Sequence, residues 1–403
     1  MSDNMLQAKR EGDRLVVSFA GKIDTSNALS VEAELRALYD AQPCPRVELD
    51  CDRLEYASSA GLRVILRFKQ DVDDTALTNV HSELYNIFDM TGFTEMMEVR
   101  RAYRVISVEG CEQIGQGANG RVYRIDPETI VKVYLNPDAL PEIHRERELA
   151  RLAFIAGVPT AIPYDVVRID DGGKGDGRPT FGSVFELLNA TSYAKLIIQG
   201  EKTPDEVAEM SIRLLKLIHS KEVRSDVLPD MKAVALDWAD FLKDHLPADQ
   251  YGKLRALIAA VPEDAHLMHG DYHVKNVMLQ NGESLLIDMD TLSHGHPIFE
   301  LASMYNAYVG FGLTDPHRSV TFLGIPRDIC HAFWRRSLAL YLDTRDEARV
   351  DEVEAKAKVV GLTRLLRREI RRDGLNNDEG RRMIGACRAA LAELLPRVDT
   401  LEF

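Results

Sequence analysis

The chain has no apolar run that approaches the length of a membrane span, so a membrane partner is not expected. Cysteine is scarce. Cys44, Cys51, Cys111, Cys330 and Cys387 are odd in number and far apart, and no C-x-x-C occurs. That excludes a disulfide framework and a structural zinc ribbon, and fits a reducing cytosol. Positive charge is in deficit, with 50 Lys and Arg against 64 Asp and Glu and a net charge of -14. A chain built mainly to bind nucleic acid needs a basic surface, so that class is disfavoured. A local basic patch is still compatible with this balance, and an acidic surface also suits a cationic small substrate or plain solubility. The first residues include Asp3, Lys9, Arg10 and Glu11, which is not the pattern of a signal peptide. The expectation is a cytoplasmic protein. With 403 residues, 45% hydrophobic and 28% charged, it should be globular with two or three domains.

The first hundred residues alternate between two hydrophobic periods. Leu15 to Gly21 reads as a strand, Ser26 as an N-cap, and Leu29, Ala33, Leu35, Leu38 and Tyr39 as a helix face. Val47, Leu49 and Cys51 alternate with charged residues, as in a half-buried strand. Leu62, Ile65, Leu66 and Phe68 predict a helix, Ala76 to Val80 a strand, and Leu84, Ile87 and Phe88 a last helix ending near Gly92. This predicts a small α/β domain on a mostly parallel or mixed sheet.

Val47-Glu48-Leu49-Asp50, Tyr56-Ala57-Ser58-Ser59-Ala60-Gly61-Leu62-Arg63 and Met90-Thr91-Gly92-Phe93 make this segment resemble the STAS domain of anti-sigma factor antagonists, over about residues 5 to 105. The resemblance implies a regulatory or docking module, with a protein partner reached through it and no chemistry of its own. Aligned on Ala60-Gly61-Leu62, Ser59 takes the phosphorylatable position and Ser58 stands where the family has Asp. A helix N-terminus favours a phosphate there, and equally favours a serine that simply caps it.

A second unit begins near residue 105. Gly115, Gly117 and Gly120 fit G-x-G-x-x-G, and Val122 extends it to the form that covers nucleotide phosphates. A dinucleotide fold would start a helix at the third glycine. Here Arg121 to Ile125 reads as a strand, Pro127 breaks any helix, and Thr129 to Tyr134 is a second strand. Lys132 lies between Val131 and Val133, and a lysine so placed calls for an anion such as the α- and β-phosphates. The following helix offers Glu142, Glu146 and Glu148; Glu146 is favoured to orient the lysine, with Glu148 the alternative. Asp170 to Pro179 reads as a polar, glycine-rich hairpin loop. Ser183 to Leu188, including Glu186, is an apolar strand running into a linker, the position of an adenine-binding hinge in a two-lobed kinase.

The remainder turns helical, with Thr203-Pro204-Asp205-Glu206 as one start. Within it lies His269-Gly270-Asp271-Tyr272-His273-Val274-Lys275-Asn276, followed by Ile287-Asp288-Met289-Asp290. Phosphoryl transfer needs such a set: one carboxylate for the attacking hydroxyl, and an amide oxygen plus a second carboxylate for magnesium. With the glycine loop and Lys132, these residues resemble the aminoglycoside phosphotransferase and choline kinase superfamily over about residues 106 to 400. The resemblance implies a two-lobed protein-kinase-like fold, ATP or GTP, Mg2+ and a small-molecule hydroxyl acceptor. By matched position Asp271 is the catalytic base, Asn276 and Asp288 are magnesium ligands, and Lys132 binds phosphate. Asp290 is a third metal contact or a loop anchor. Glu300 replaces the family's loop-bracing Asp. His269 is expected to bond the loop backbone. Lys275 faces either the γ-phosphate or solvent, and His294-Gly295-His296-Pro297 reads as a structural turn.

Arg364, Arg367, Arg368, Arg371 and Arg372 share one helix face. A solvated face paired with nearby acids is the plainer expectation, and a site for phosphate or an acidic partner the other. The fold class is therefore α/β followed by α+β: a STAS-like domain over 1–105, a β-rich N-lobe over 106–190 and an α-helical C-lobe over 191–403. The expected activity is phosphoryl transfer to a small-molecule hydroxyl, coupled to a STAS domain. A partner-switching protein, in which the kinase-like part senses nucleotide or phosphorylates a STAS serine, is the alternative.

Overall fold

The computed structural model describes residues 5–117, 120–136, 138–170, 180–224 and 226–403. They fall into two compact units. One holds the described residues up to Glu109 together with Val166 to Thr180; the other runs from Gly110 to Asp165 and from Phe181 to Phe403.

The first unit begins with β1 (Leu6–Glu11), β2 (Arg14–Ile23), α1 (Ala28–Ala41), β3 (Arg46–Ala57) and α2 (Ser59–Asp71). It continues with β4 (Thr75–Val80), α3 (Ser82–Met90), α4 (Phe93–Met96), β5 (Val99–Arg101) and β6 (Arg104–Ser107). The sheet order is β1-β2-β3-β4-β5, with β1 antiparallel to β2 and the later pairs parallel. Parallel neighbours need crossovers, which α1, α2 and the α3–α4 segment supply in turn. Leu15, Val17 and Phe19 alternate into a core shared with Val31, Leu35, Val64, Ile65 and Phe68. Periodicity thus gave the mixed α/β sheet correctly. It misplaced one cap. The residue before α1 is Asn27, because Ser26 turns its hydroxyl back onto Asp24 Oδ1 at 2.5 Å.

The second unit opens with a meander of β7 (Glu112–Gln116), β8 (Gly120–Asp126) and β9 (Thr129–Tyr134), followed by α5 (Leu140–Ile155). Next along the chain is β10 (Asp165–Asp170), which pairs in parallel with β6 and so belongs largely to the first unit. β11 (Thr180–Glu186) then pairs antiparallel with β9. The polar loop expected over 170–179 lies, from residue 171 on, outside the described residues.

Beyond β12 (Thr191–Ser192) come α6 (Tyr193–Ile198), α7 (Pro204–His219), α8 (Met231–Phe241) and α9 (Ala248–Ala259). Short strands β13 (Leu267–Met268), β14 (Val277–Gln280), β15 (Glu283–Leu286) and β16 (Ser293–His294) flank the segments 269–276 and 287–290. Then follow α10 (Ile298–Tyr308), α11 (Pro316–Leu323), α12 (Arg327–Tyr341), α13 (Glu347–Arg371) and α14 (Asp378–Leu394). Thr203 and Glu206 form a reciprocal capping box at the start of α7. α10 is buried at every residue, and its polar side chains Glu300 and Ser303 therefore point at buried backbone. Among the described residues no helix is long and apolar enough to cross a membrane.

Candidate active site

On β9 the side chains of Lys132 and Tyr134, two residues apart, share one face. Both reach Glu146 of α5. Lys132 Nζ donates to Glu146 Oε1 at 2.8 Å and Oε2 at 3.1 Å, and the Tyr134 hydroxyl donates to Oε2. Glu148 instead pairs with Arg151, so Glu146 is the carboxylate that orients the lysine. Lys132 also meets Asp288 Oδ1 at 3.2 Å. Burial alone would depress its pKa, but Asp288 and Glu146 outweigh burial and hold the ammonium well above the ordinary lysine value. Tyr134 is a participant that the sequence reading missed. Its place two residues after Lys132 was the available signal.

The glycine loop joins β7 to β8, and the Gly117 N–H donates to the Gly120 carbonyl at 2.9 Å. Ala118 and Asn119 lie outside the described residues. A Cβ on Gly120 would meet the Val133 carbonyl oxygen at 2.5 Å, whereas one on Gly117 would meet nothing. Gly115 pairs with Val122, and Val122 with Lys132, so the strands that flank the loop lie in the same sheet as the lysine. Glu186 ends β11 opposite Thr129 with an exposed side chain, and the following Leu187 N–H is taken by the Glu128 carbonyl.

Glu300 holds the catalytic loop. Its carboxylate accepts the N–H groups of His269 at 2.6 Å, Gly270 at 3.0 Å and Tyr272 at 3.4 Å. Burial would raise this carboxyl, but His219, His269 and the loop N–H groups together pull it below the ordinary glutamate value. Gly270 has φ +82°, and a Cβ there would lie 2.4 Å from the Thr291 carbonyl oxygen. His269 bonds backbone on both sides: Nδ1 accepts the Asp271 N–H at 3.3 Å, which leaves Nε2 to donate to the Ile287 carbonyl at 3.2 Å. The loop is thereby tied to the strand that ends in Asp288.

Asp271 lies half-exposed at the tip of this loop. His273 Nε2 stands 3.4 Å from its Oδ2, and Asn276 Nδ2 donates to its backbone oxygen at 3.0 Å. Burial would raise the Asp271 pKa, but His273, Arg364 and His269 draw it down to about 2. With its nitrogen so engaged, the Asn276 amide presents Oδ1 as its free end. Asp288 has φ +67°, a conformation that aspartate tolerates at a small cost and that turns its carboxylate out of the strand toward Lys132. Asp290 keeps a solvent-accessible surface, yet the surrounding protein and then the charge of Asp288 push it up to about 7.

Among the described residues no three His, Cys, Asp or Glu side chains form a metal nest. Asn276, Asp288 and Asp290 offer an amide oxygen and two carboxylates. Such a set suits magnesium, a hard cation that keeps water and phosphate oxygens in its remaining positions.

Other candidates are placed elsewhere. Lys275 Nζ donates to the Phe322 carbonyl at 2.9 Å. His294 Nδ1 bonds the Asp264 carbonyl and His296 Nδ1 accepts the Ile298 N–H, so both histidines serve a turn. The arginine face departs from the expectation of a wholly solvated, acid-paired surface. Arg367 does pair with Asp237 at 3.1 Å. Arg364 is instead half-buried, donating to the Gly270 carbonyl at 3.2 Å and Ser303 Oγ at 2.9 Å. In the first unit Ser58, not Ser59, caps α2: its oxygen accepts the N–H groups of Ala60 at 3.2 Å and Gly61 at 3.4 Å. Ser59 is the exposed first residue of the helix.

A lysine–glutamate pair under a glycine loop, facing a D-x-x-x-x-N loop and an Asp-x-Asp strand end, defines a kinase-like phosphotransferase. Residues 110–320 match the model of the Phosphotransferase enzyme family, and the chain belongs to that family. Residues 5–105 match the STAS domain. "Putative anti-sigma factor antagonist BtrV" of Bordetella bronchiseptica is 35% identical over 89 residues, 21% of this chain and 76% of that protein. Similar solved structures include a thermostable mutant of aminoglycoside phosphotransferase APH(4)-Ia, at 15% identity and TM-score 0.46, covering 71% of this chain and 97% of that one. A choline/ethanolamine kinase family protein from Mesorhizobium loti aligns at 16% identity and TM-score 0.43, over 71% of this chain and 87% of that one.

Proposed function

We propose that this phosphotransferase moves the γ-phosphoryl group of ATP or GTP to the hydroxyl of a small molecule, and that the STAS domain couples this activity to a protein partner. The observation that carries it is the placement of Glu146 and Asp288 both within hydrogen-bond distance of the Lys132 ammonium. Lys132 is the cation for nucleotide phosphates, held in place by Glu146. Gly115, Gly117, Gly120 and Val122 form the cover, and the backbone at Glu186 the hinge. Asn276, Asp288 and Asp290 would hold magnesium, which supplies charge neutralisation at the phosphates. Asp271 orients the acceptor hydroxyl and takes its proton as transfer proceeds. A carboxylate with a pKa of about 2 is a weak base, so its main contribution is position in a loose transition state. The functional segments on this account are 1–105, 106–190 and 191–403.

The test is magnesium-dependent turnover of ATP and GTP by wild type, Asp271→Ala and Asp288→Ala. Loss of turnover in both variants is expected; equal rates in all three overturn the assignment. One observation favours a second role. Ser59 is exposed at the N-terminus of α2 while Ser58 does the capping, so Ser59 is free to receive a phosphate without unfolding the helix start. Transfer to Ser59 by this kinase-like domain would make the protein a partner switch. Incubation with nucleotide and peptide mass analysis decides between the two acceptors.

A further inference from the structure

We propose that the hydroxyl acceptor carries an anionic group, a carboxylate or a phosphate ester, bound by Arg368, one helical turn along α13 from the arginine that reaches the Gly270 carbonyl; this rests on the phosphotransferase reading above and adds the acceptor's class. Arg364 and Arg368 on α13 and Arg372 at its C-cap recur every four residues and share a face, about 6 Å apart along the axis. The first of them ends on the Gly270 carbonyl, next to Asp271. From Asp271 an aromatic wall leads to the second. His273 Nε2 is 3.4 Å from Asp271 Oδ2, His273 packs edge-on against Phe322 at 4.9 Å, Phe322 against Phe311 at 5.0 Å, and the Arg368 guanidinium lies 4.8 Å from the Phe311 ring centre.

Four neighbouring cations are occupied, while Arg372 is exposed to water. Arg364 bonds Gly270 and Ser303, Arg367 pairs with Asp237, Arg318 with Glu379, and Lys275 bonds the Phe322 carbonyl. Among the described residues the Arg368 side chain has no hydrogen bond or ion pair, although it is half-buried. Glu369 tempers its charge without bonding it, while burial and then Arg372, Arg364 and Arg318 press its pKa below the ordinary arginine value. A guanidinium withdrawn from water beside like charges is costly unless an anion meets it. An anionic acceptor would be repelled by Asp271, Asp288 and Asp290, and this arginine row offsets that repulsion. A polycationic acceptor would meet Arg364 and Arg368 instead.

The full chain is assayed with magnesium and nucleotide against glycerol 3-phosphate, glycerate, glycerol and choline. Wild type is compared with Arg368→Gln and with Arg349→Gln, a control at the exposed start of α13. The two anions are expected to exceed glycerol and choline in kcat/KM by at least about tenfold, the size of one charge-assisted contact. Arg368→Gln should collapse the anion-to-glycerol ratio by a similar factor, and Arg349→Gln should not. The two anions separate phosphate from carboxylate recognition. Calorimetric titration of each anion, with magnesium and a non-hydrolysable nucleotide present, gives a readout independent of turnover. Binding weakened by Arg368→Gln supports the site. Choline preferred over both anions, absence of anion binding to wild type, or equal binding by Arg368→Gln overturns it. Absence of turnover with every acceptor and with water, while anion binding still depends on Arg368, would instead remove the phosphotransferase reading alone.

Discussion

The Glu300 carboxylate accepts the Gly270 N–H at 3.0 Å from each of its oxygens, from a position with no exposed surface. It thus fixes the residue before Asp271, the proposed base, from inside the fully buried helix α10. Replacing Glu300 by Ala leaves three loop N–H groups without a partner. The expected cost is about 3–5 kcal/mol, the range for breaking a buried charged network. Both tryptophans, Trp238 and Trp334, lie in the kinase-like unit. Urea unfolding followed by tryptophan fluorescence therefore reads this unit alone. A loss under 1 kcal/mol would show that the loop is held by other contacts.

The charge of Glu300 also gives a pH signature. Its pKa is lowered in the folded chain from the ordinary 4.5, so the unfolded state binds the extra proton. The stabilisation is complete above about pH 4.5 and is lost as pH falls through the lower folded value. Glu300→Gln has no such term. The stability gap between wild type and Glu300→Gln should therefore narrow as urea unfolding is moved from about pH 7 to about pH 3.5. A constant gap would place its origin in shape rather than charge.

Lys132 holds Glu146 and Asp288 together. Lys132→Met removes the cation that bonds both the Glu146 and Asp288 carboxylates. Turnover should fall by about 100-fold or more, as when a preorganised charge at a phosphoryl site is deleted. Tyr134→Phe removes one bond to Glu146 and should cost about tenfold or less. Steady-state rates at saturating nucleotide distinguish the two, and a larger effect at Tyr134 than at Lys132 would contradict the assigned roles.

Much of this site was legible in the sequence because its chemistry is local. Asp271 and Asn276 lie on one loop, Lys132 lies on one strand, and alternation with apolar residues marks that strand, although Tyr134 beside it went unnoticed. Long-range contacts were less legible. Choosing Glu146 over Glu148 needed the helix rotation that points one carboxylate inward. Arg364 looked like any surface arginine, because only the packing of α13 against α10 brings it to Gly270, 94 residues away in sequence. The parallel pairing of β10 with β6 likewise joins segments about sixty residues apart, and no local signal announces it.

Glycine positions separate folding from ligand approach. At Gly120 a Cβ would lie 2.5 Å from the Val133 carbonyl, so Gly120→Ala should disturb the β8–β9 pairing and lower stability by about 1–3 kcal/mol. At Gly117 the space is open and φ is not in the left-handed region, so Gly117→Ala should fold as wild type. If the loop covers phosphates, Gly117→Ala nevertheless raises the KM for nucleotide, because the added methyl stands where backbone must approach the ligand. Thermal melts and nucleotide KM measured on both variants test this. Wild-type KM in Gly117→Ala would remove the close approach from the account.

Ser58 and Ser59 divide two duties that one serine could have held. Ser58 Oγ accepts two N–H groups at the start of α2, so Ser58→Ala should cost about 1 kcal/mol of the first unit's stability. Ser58→Asp should retain the cap, since a carboxylate accepts the same N–H groups and favours the helix N-terminus. Ser59→Ala should change stability by less than about 0.5 kcal/mol, because the residue is exposed and outside the cap. Far-ultraviolet circular dichroism of the isolated 1–109 fragment, once shown to fold, or of the full chain measures these three. If Ser59→Ala proves as costly as Ser58→Ala, Ser59 is holding the helix start itself. A phosphate there would then compete with the cap, and a role for Ser59 as acceptor would lose its structural basis.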